Sequence, residues 1–153
     1  MEKDYDNEFT IQAENGHIYF KIEKVFGFPN NTSGFGGYDT QSNIEIVSSN
    51  YSVSGSLYIT TGELFEFYKQ LQKCYETLNG TATLKSYEGN LVLNVFFDGL
   101  GHASVQGSFI EKLSEENELK FELSTDQTYL FQAIAGLSDI IDEYGDNFGK
   151  PAT

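Results

Sequence analysis

The chain contains no arginine. Its nine bases are all lysines, set against 23 acids, and the formal net charge is −14. Arginine is the planar fork that grips phosphate or carboxylate through two hydrogen bonds, so its absence argues against an enzyme built to hold an anion. The basic footprint that direct nucleic-acid binding needs is also missing. One cysteine, Cys74, excludes an internal disulfide and a cysteine-based zinc site. Two histidines, His17 and His102, stand at no recognised metal-ligand spacing, so no metal or other cofactor is expected. No run approaches the roughly 18 apolar residues of a membrane helix. The opening Met1-Glu2-Lys3-Asp4-Tyr5-Asp6 is polar and acidic, unlike a secretory signal, and the expected location is the cytoplasm.

What is present is aromatic and acidic. Thirteen Phe and ten Tyr in 153 residues, with 39% hydrophobic residues overall, are enough to build a core. The expectation is a single domain over residues 1–153, with about 1–7 and 145–153 loosely ordered. The excess of acid suits a basic partner, or it serves solubility alone.

The pattern along the chain is strands punctuated by two helices. Phe9 to Ile11 and His17 to Val25 flank Asn15-Gly16, a strong hairpin signal. Within the second run Ile18, Phe20 and Ile22 alternate with Tyr19, Lys21 and Glu23, the period of a strand with one buried face. A glycine-rich loop carries Gly27, Pro29, Gly34, Gly36 and Gly37 to Tyr38-Asp39. Strands are predicted again at Ile44 to Val47 and Tyr51 to Ile59. Thr60 and Glu63 then form a capping box. Leu64, Phe67, Tyr68, Leu71, Cys74, Tyr75 and Leu78 follow at helical spacing until Asn79-Gly80.

Strands resume at Thr81 to Tyr87, Leu91 to Phe97, Ala103 to Ile110 and Leu119 to Leu123. Ser124 and Gln127 offer a second capping box, ahead of a helix with an apolar stripe at Tyr129, Leu130, Ile134, Leu137 and Ile141. Val53-Ser54-Gly55-Ser56 recurs as Val105-Gln106-Gly107-Ser108, an echo compatible with duplication or with chance. The predicted fold is α+β: an antiparallel sheet with both amphipathic helices packed on one face.

Residues able to carry chemistry are few. Cys74 lies on an apolar helical stripe without a basic neighbour on that stripe, which suits an inert buried thiol. Gly34-Phe35-Gly36-Gly37 has neither the following Lys-Ser or Lys-Thr nor the strand-to-helix position of a phosphate loop. It presents Phe35, Tyr38 and Asp39 instead, as a surface loop or as contact residues. No carboxylate pair, oxyanion hole or nucleophile with a base stands out, and an enzyme is not expected. The acids of the second helix are more informative. Asp139, Asp142 and Glu143 fall in its last turns, with Asp146 just beyond and Tyr144 among them. There they face the negative end of the helix dipole, at about 0.3–1 kcal/mol each. From Phe121 to Gly149 no base offsets them. They form either a solvated helix end or a surface that meets a basic partner.

Several short motifs occur in a fixed order: Gly62-Glu63-Leu64, Tyr75-Glu76-Thr77-Leu78-Asn79-Gly80-Thr81-Ala82, Glu88-Gly89-Asn90-Leu91, Gly99-Leu100-Gly101-His102, Val105-Gln106-Gly107, and Phe121 followed by Asp126-Gln127-Thr128-Tyr129-Leu130. In this order they make the stretch from about Leu57 to Ile141 resemble the WapI-type immunity proteins of bacterial polymorphic, contact-dependent toxin systems. The resemblance implies a cytoplasmic protein that binds the toxic C-terminal domain of a secreted protein, often a nuclease that is basic where it holds nucleic acid. An acidic chain would occlude such a toxin by shape and charge. Two other readings stay open. One is a small-molecule-binding domain with a Phe- and Tyr-lined pocket. The other is a nucleic-acid mimic, which the interrupting Lys69, Lys73, Lys112 and Lys120 disfavour.

Overall fold

A computed structural model describes residues 6–150. Four strands and a helix are followed by four strands and a helix. Strands β1 (Glu8–Ala13), β2 (Gly16–Val25), β3 (Asp39–Ser48) and β4 (Tyr51–Thr60) form one antiparallel meander, and α1 (Thr61–Thr77) follows. Strands β5 (Asn79–Lys85), β6 (Leu91–Asp98), β7 (His102–Ile110) and β8 (Glu118–Asp126) form a second, followed by α2 (Gln127–Tyr144). The α+β class holds, but there are two four-stranded sheets where one was expected. The helices also do not share one sheet face. The chain leaves β4 into α1, which lies along β5, while α2 lies along β1 and the helices touch each other. Each helix thus packs against the first strand of the other half.

Alternation selects the buried face of every strand. Ile11, Ile18, Phe20, Ile46 and Ile59 from the first sheet join Leu91, Leu93, Val95, Val105 and Leu123 from the second in one continuous core. Both helices contribute a narrow seam. On α1 it is Leu64, Phe67, Leu71 and Cys74; on α2 it is Leu130, Ala133, Leu137, Ile140 and Tyr144. The α2 seam is rotated from the predicted stripe: Tyr129 is 40% exposed, and Ile134 and Ile141 are half-buried. Phe9 marks the join. Its ring stacks on Phe20 at 5.0 Å and meets Phe67 of α1 at 6.3 Å. Gly136 lets α2 approach there, because a Cβ on it would lie 2.5 Å from the Glu8 carbonyl oxygen and 2.8 Å from the Phe9 Cβ.

The helix ends follow local chemistry in one case and tertiary contacts in the other. Thr60 Oγ1 accepts from the Glu63 N–H at 3.0 Å, and Glu63 Oε1 accepts from the Thr60 N–H at 2.9 Å, completing the predicted capping box. The second box does not form. Asp126 is the N-cap of α2, accepting from the Tyr129 N–H at 3.2 Å. Ser124 and Thr125 stay in β8, where the Ser124 N–H reaches Asn15 Oδ1 and the Thr125 hydroxyl donates to the Gln12 carbonyl. At the end of α1 the left-handed residue is Leu78 (φ 55°), and Asn79-Gly80 already pairs with Phe97-Asp98. Among the described residues no helix is long and apolar enough to cross a membrane.

Candidate functional site

The glycine-rich loop and the C-terminal tail form one structure, and α1 begins beneath it. The first N–H groups of a helix have no partner inside the helix. Here the Thr61 N–H donates to the Tyr38 carbonyl at 2.8 Å, and the Gly62 N–H to the Gly36 carbonyl at 3.2 Å. The Tyr38 N–H donates in return to Thr61 Oγ1 at 2.8 Å. Contact this close needs glycine on the helix: a Cβ on Gly62 would lie 2.5 Å from the carbonyl of Gly36 and 2.8 Å from Asn147 Oδ1. The loop then meets the tail, where the Gly37 N–H (φ +66°) donates to the Asn147 carbonyl at 2.7 Å.

Tyr38 fixes this junction from inside. It is fully buried; its hydroxyl donates to the Pro29 carbonyl at 2.8 Å and accepts from the Lys150 N–H at 2.9 Å. Phe28 sits edge-on to Tyr38 at 5.2 Å and to Tyr144 at 5.1 Å. Tyr144 is 6% exposed, and its hydroxyl accepts from Asn7 Nδ2 at 3.2 Å. Burial and the neighbouring Glu143 push the Tyr144 phenol up to about 12. Tyr38 and Tyr144, expected among the contact residues, are therefore internal posts beneath the surface. The stretch from Gly145 to Lys150, expected to lie loose, is pinned by these bonds and by Asn147 Nδ2 donating to Glu66 Oε1 at 2.6 Å. The expected loose residues 1–5 and 151–153 lie outside the described residues.

The other candidates remain at the surface. The ring of Phe35, 63% exposed, stacks flat on Tyr87 at 4.5 Å. The Tyr87 hydroxyl donates to both carboxylate oxygens of Asp39, at 3.1 and 3.2 Å. Burial and the Asp39 charge raise the Tyr87 phenol, so it stays a donor. Asp139 and Asp142 are exposed along α2; Glu143 and Asp146 are half-buried. Phe148, 90% exposed, projects beyond Asp146. The structure also changes the electrostatics read from the sequence. Lys150 returns to the helix end, and its Nζ donates to the Asp142 carbonyl. A cation thus stands at the negative pole of α2 and offsets part of the cost assigned to its acids. Sequence reasoning missed Tyr87 and Asn147, because each acts through a contact far along the chain, and Lys150, whose return to the helix end depends on the fold of the tail.

Glu63 is the strongly shifted acid. Burial raises its carboxyl from 4.5 to about 7, opposed by the Thr60 hydrogen bonds. Between those values the unfolded chain releases this proton while the folded chain keeps it, so rising pH favours unfolding. Its stabilising protonated form is present at low pH and lost as pH passes about 7. The Glu63→Gln variant keeps a capping acceptor and removes the titration. Urea melts at pH 5 and pH 8 are expected to show the variant about 1–2 kcal/mol more stable than the parent at the higher pH, after discounting for solvent screening. The same pH slope in both proteins would refute this assignment.

Of the isolated nucleophile and base candidates, the thiol is buried and one imidazole is paired. Cys74 is buried, and desolvation raises its thiol. His17 Nε2 lies 2.7 Å from Glu45 Oε1. At His102 it is the backbone N–H, not the ring, that donates to Asp98 Oδ1, at 3.2 Å. Among the described residues no three of His, Cys, Asp and Glu cluster so as to hold a metal.

The sequence profile of the immunity protein WapI-like family matches residues 9–145. The chain belongs to that family. Among solved structures it is similar to a chain of the CdiA-CT/CdiI toxin and immunity complex from Enterobacter cloacae, with 12% identity, a TM-score of 0.44, and coverage of 78% of this chain and 97% of that one. A comparison with curated proteins found no match.

Proposed function

We propose that this chain is a cytoplasmic immunity protein that binds a cognate toxin domain and occludes it, and that the toxin is a basic, nuclease-type protein. Membership of the immunity family over residues 9–145 carries this reading. The basic character of the partner is inferred from the net charge of −14 and from the exposed acids on α2. Such a protein acts without catalysis: an acidic face steers encounter with a basic one and fixes which partner is accepted. The candidate contact surface is Asp139, Asp142, Glu143 and Asp146 on one side of the loop–tail junction and Phe35 with Asp39 on the other, held by Tyr38 and Tyr144. A metabolite site has less support. A groove of about 660 Å³ lies across strands β6 to β8 and is lined by mixed residues such as Asn94, Gln106 and Lys120. Small-molecule sites are characteristically enclosed and mostly apolar.

The test is co-expression with a cognate toxin domain, sought as the C-terminal domain of a large secreted protein encoded next to this chain's gene. Growth rescue and co-purification as a stable complex are expected. Continued killing despite soluble expression of both proteins would reject the reading.

A further inference from the structure

Two four-stranded sheets have four edge strands, and an open edge is a template for pairing with another strand. The edges of β1 and β5 and the C-terminal half of the β8 edge are occupied. Along β1, the Glu14 N–H donates to the Ser124 carbonyl, the Gln12 carbonyl accepts from Thr125, and α2 lies close at Gly136. These contacts also engage β8, whose Glu122 carbonyl accepts from the Ser48 hydroxyl. Along β5, α1 packs alongside and the Thr83 N–H donates to Gln70 Oε1 at 2.9 Å.

β4 is the exception. Ser48 pairs with Tyr51 across a two-residue turn, so Tyr51, Val53, Gly55, Leu57 and Ile59 turn their backbone groups toward β3. Ser52, Ser54, Ser56 and Tyr58 turn theirs outward. Among the described residues no backbone or side-chain group bonds to that outward row. All four residues are exposed. The devices that usually protect an edge are absent, for β4 carries no proline, no lysine and no bulge. Two grooves include its residues: one of about 510 Å³ across the outer face of β2 to β4, and one of about 250 Å³ between β4 and the β7–β8 connection. Glu111 lines both and Glu118 the second, and no lysine lines either.

We infer that the β4 edge receives an extended strand of the toxin, pairing with the backbone of Ser52 to Tyr58 and setting lysine or arginine side chains against Glu111 and Glu118. Main-chain bonds supply affinity in such strand addition, and side chains at alternate positions supply selectivity. The glutamates commit the occupant: a second copy of this acidic chain would bring like charges together, whereas a basic strand neutralises them. This inference rests on the proposed immunity role and adds the element through which the toxin is held.

The test is amide hydrogen exchange on the free chain and on its complex with the cognate toxin domain that co-expression identifies. Ser52, Ser54, Ser56 and Tyr58 are expected to exchange fast in the free chain and at least about tenfold more slowly in the complex. The Ser54→Pro, Ser56→Pro variant removes two outward N–H groups without touching the β3 ladder and is expected to weaken binding at least about tenfold. If proline disturbs the fold, Ser54→Lys with Ser56→Lys keeps the N–H groups, repels a basic strand and is expected to weaken binding similarly. Fast exchange in a complex that forms normally, or full affinity of a folded variant, overturns the edge and leaves the immunity role intact. Slow exchange in a free chain of dimeric mass assigns the edge to a second copy and overturns it too. Failure of the unmodified chain to bind the toxin removes the immunity reading, and the edge assignment with it.

Discussion

Replacing Tyr38 by alanine is expected to destabilise the free chain by about 3–5 kcal/mol, the range for removing a large buried aromatic side chain. The ring is fully buried and packs edge-on against Phe28. Its hydroxyl links the Pro29 carbonyl to the Lys150 N–H, so the loss also releases the tail from the loop. Tyr38→Phe separates the two contributions. It keeps the ring and leaves those backbone groups short of a partner, at about 1–3 kcal/mol. Urea denaturation gives the stability change, and hydrogen exchange from Gly145 to Lys150 gives the local one. A phenylalanine variant as stable as the parent, with its tail amides still protected, would show that the junction is held by something other than this hydroxyl.

The junction also shows where sequence reading stops. Strands were legible because each has one wet face: Ile18, Phe20 and Ile22 are buried while Tyr19 and Lys21 are half-exposed. The first helix start was legible because Thr60 and Glu63 satisfy each other within four residues. The second was misplaced because Thr125 spends its hydroxyl on Gln12, 113 residues away, and β8 runs on to Asp126. The division into two sheets was illegible for a related reason. Local alternation reports which face of a strand is buried, not which strand lies beside it.

The internal echo has a comparable explanation. Gly55 lies on the fourth strand of the first half and Gly107 on the third strand of the second. They are not equivalent in the four-strand-plus-helix plan that does repeat. Each is needed for a close approach: a Cβ on Gly55 would lie 2.9 Å from Phe109, and one on Gly107 would lie 2.1 Å from the Val92 carbonyl oxygen and 3.0 Å from Phe121. Similar packing needs are enough to produce the similar residues. At the candidate site, exposure of Phe35 and of the α2 acids was legible from composition and periodicity. Burial of Tyr38 and Tyr144 was not, because it depends on Phe28 and on the tail, which only the assembled chain brings together.

Reversing the charge of the α2 surface is expected to have the largest effect on partner binding. Glu143 is a poor place to do so, since it is half-buried beside the Tyr144 hydroxyl and its change would disturb packing. Asp139 and Asp142 are exposed and three residues apart, hence on one face of the helix. In Asp139→Lys with Asp142→Lys, each substitution shifts the charge by two, taking −14 to −10. The lysines suit the negative pole of the helix, where Lys150 Nζ already meets the Asp142 carbonyl. Urea denaturation of the free chain reports separately what the change does to the fold. Association with a basic toxin should slow by about tenfold at low salt and lose much of its salt dependence, because steering acts through long-range charge that salt screens. Stopped-flow association at two ionic strengths measures both. Dissociation rates should shift less, unless one of these aspartates is fully desolvated in the complex. A stable variant that associates at the parent's rate in low salt would take the acids of α2 out of the contact. The cluster of Phe35, Tyr87 and Asp39 would then be the next surface to reverse, beginning with Asp39→Asn, which removes the charge and keeps an acceptor for the Tyr87 hydroxyl.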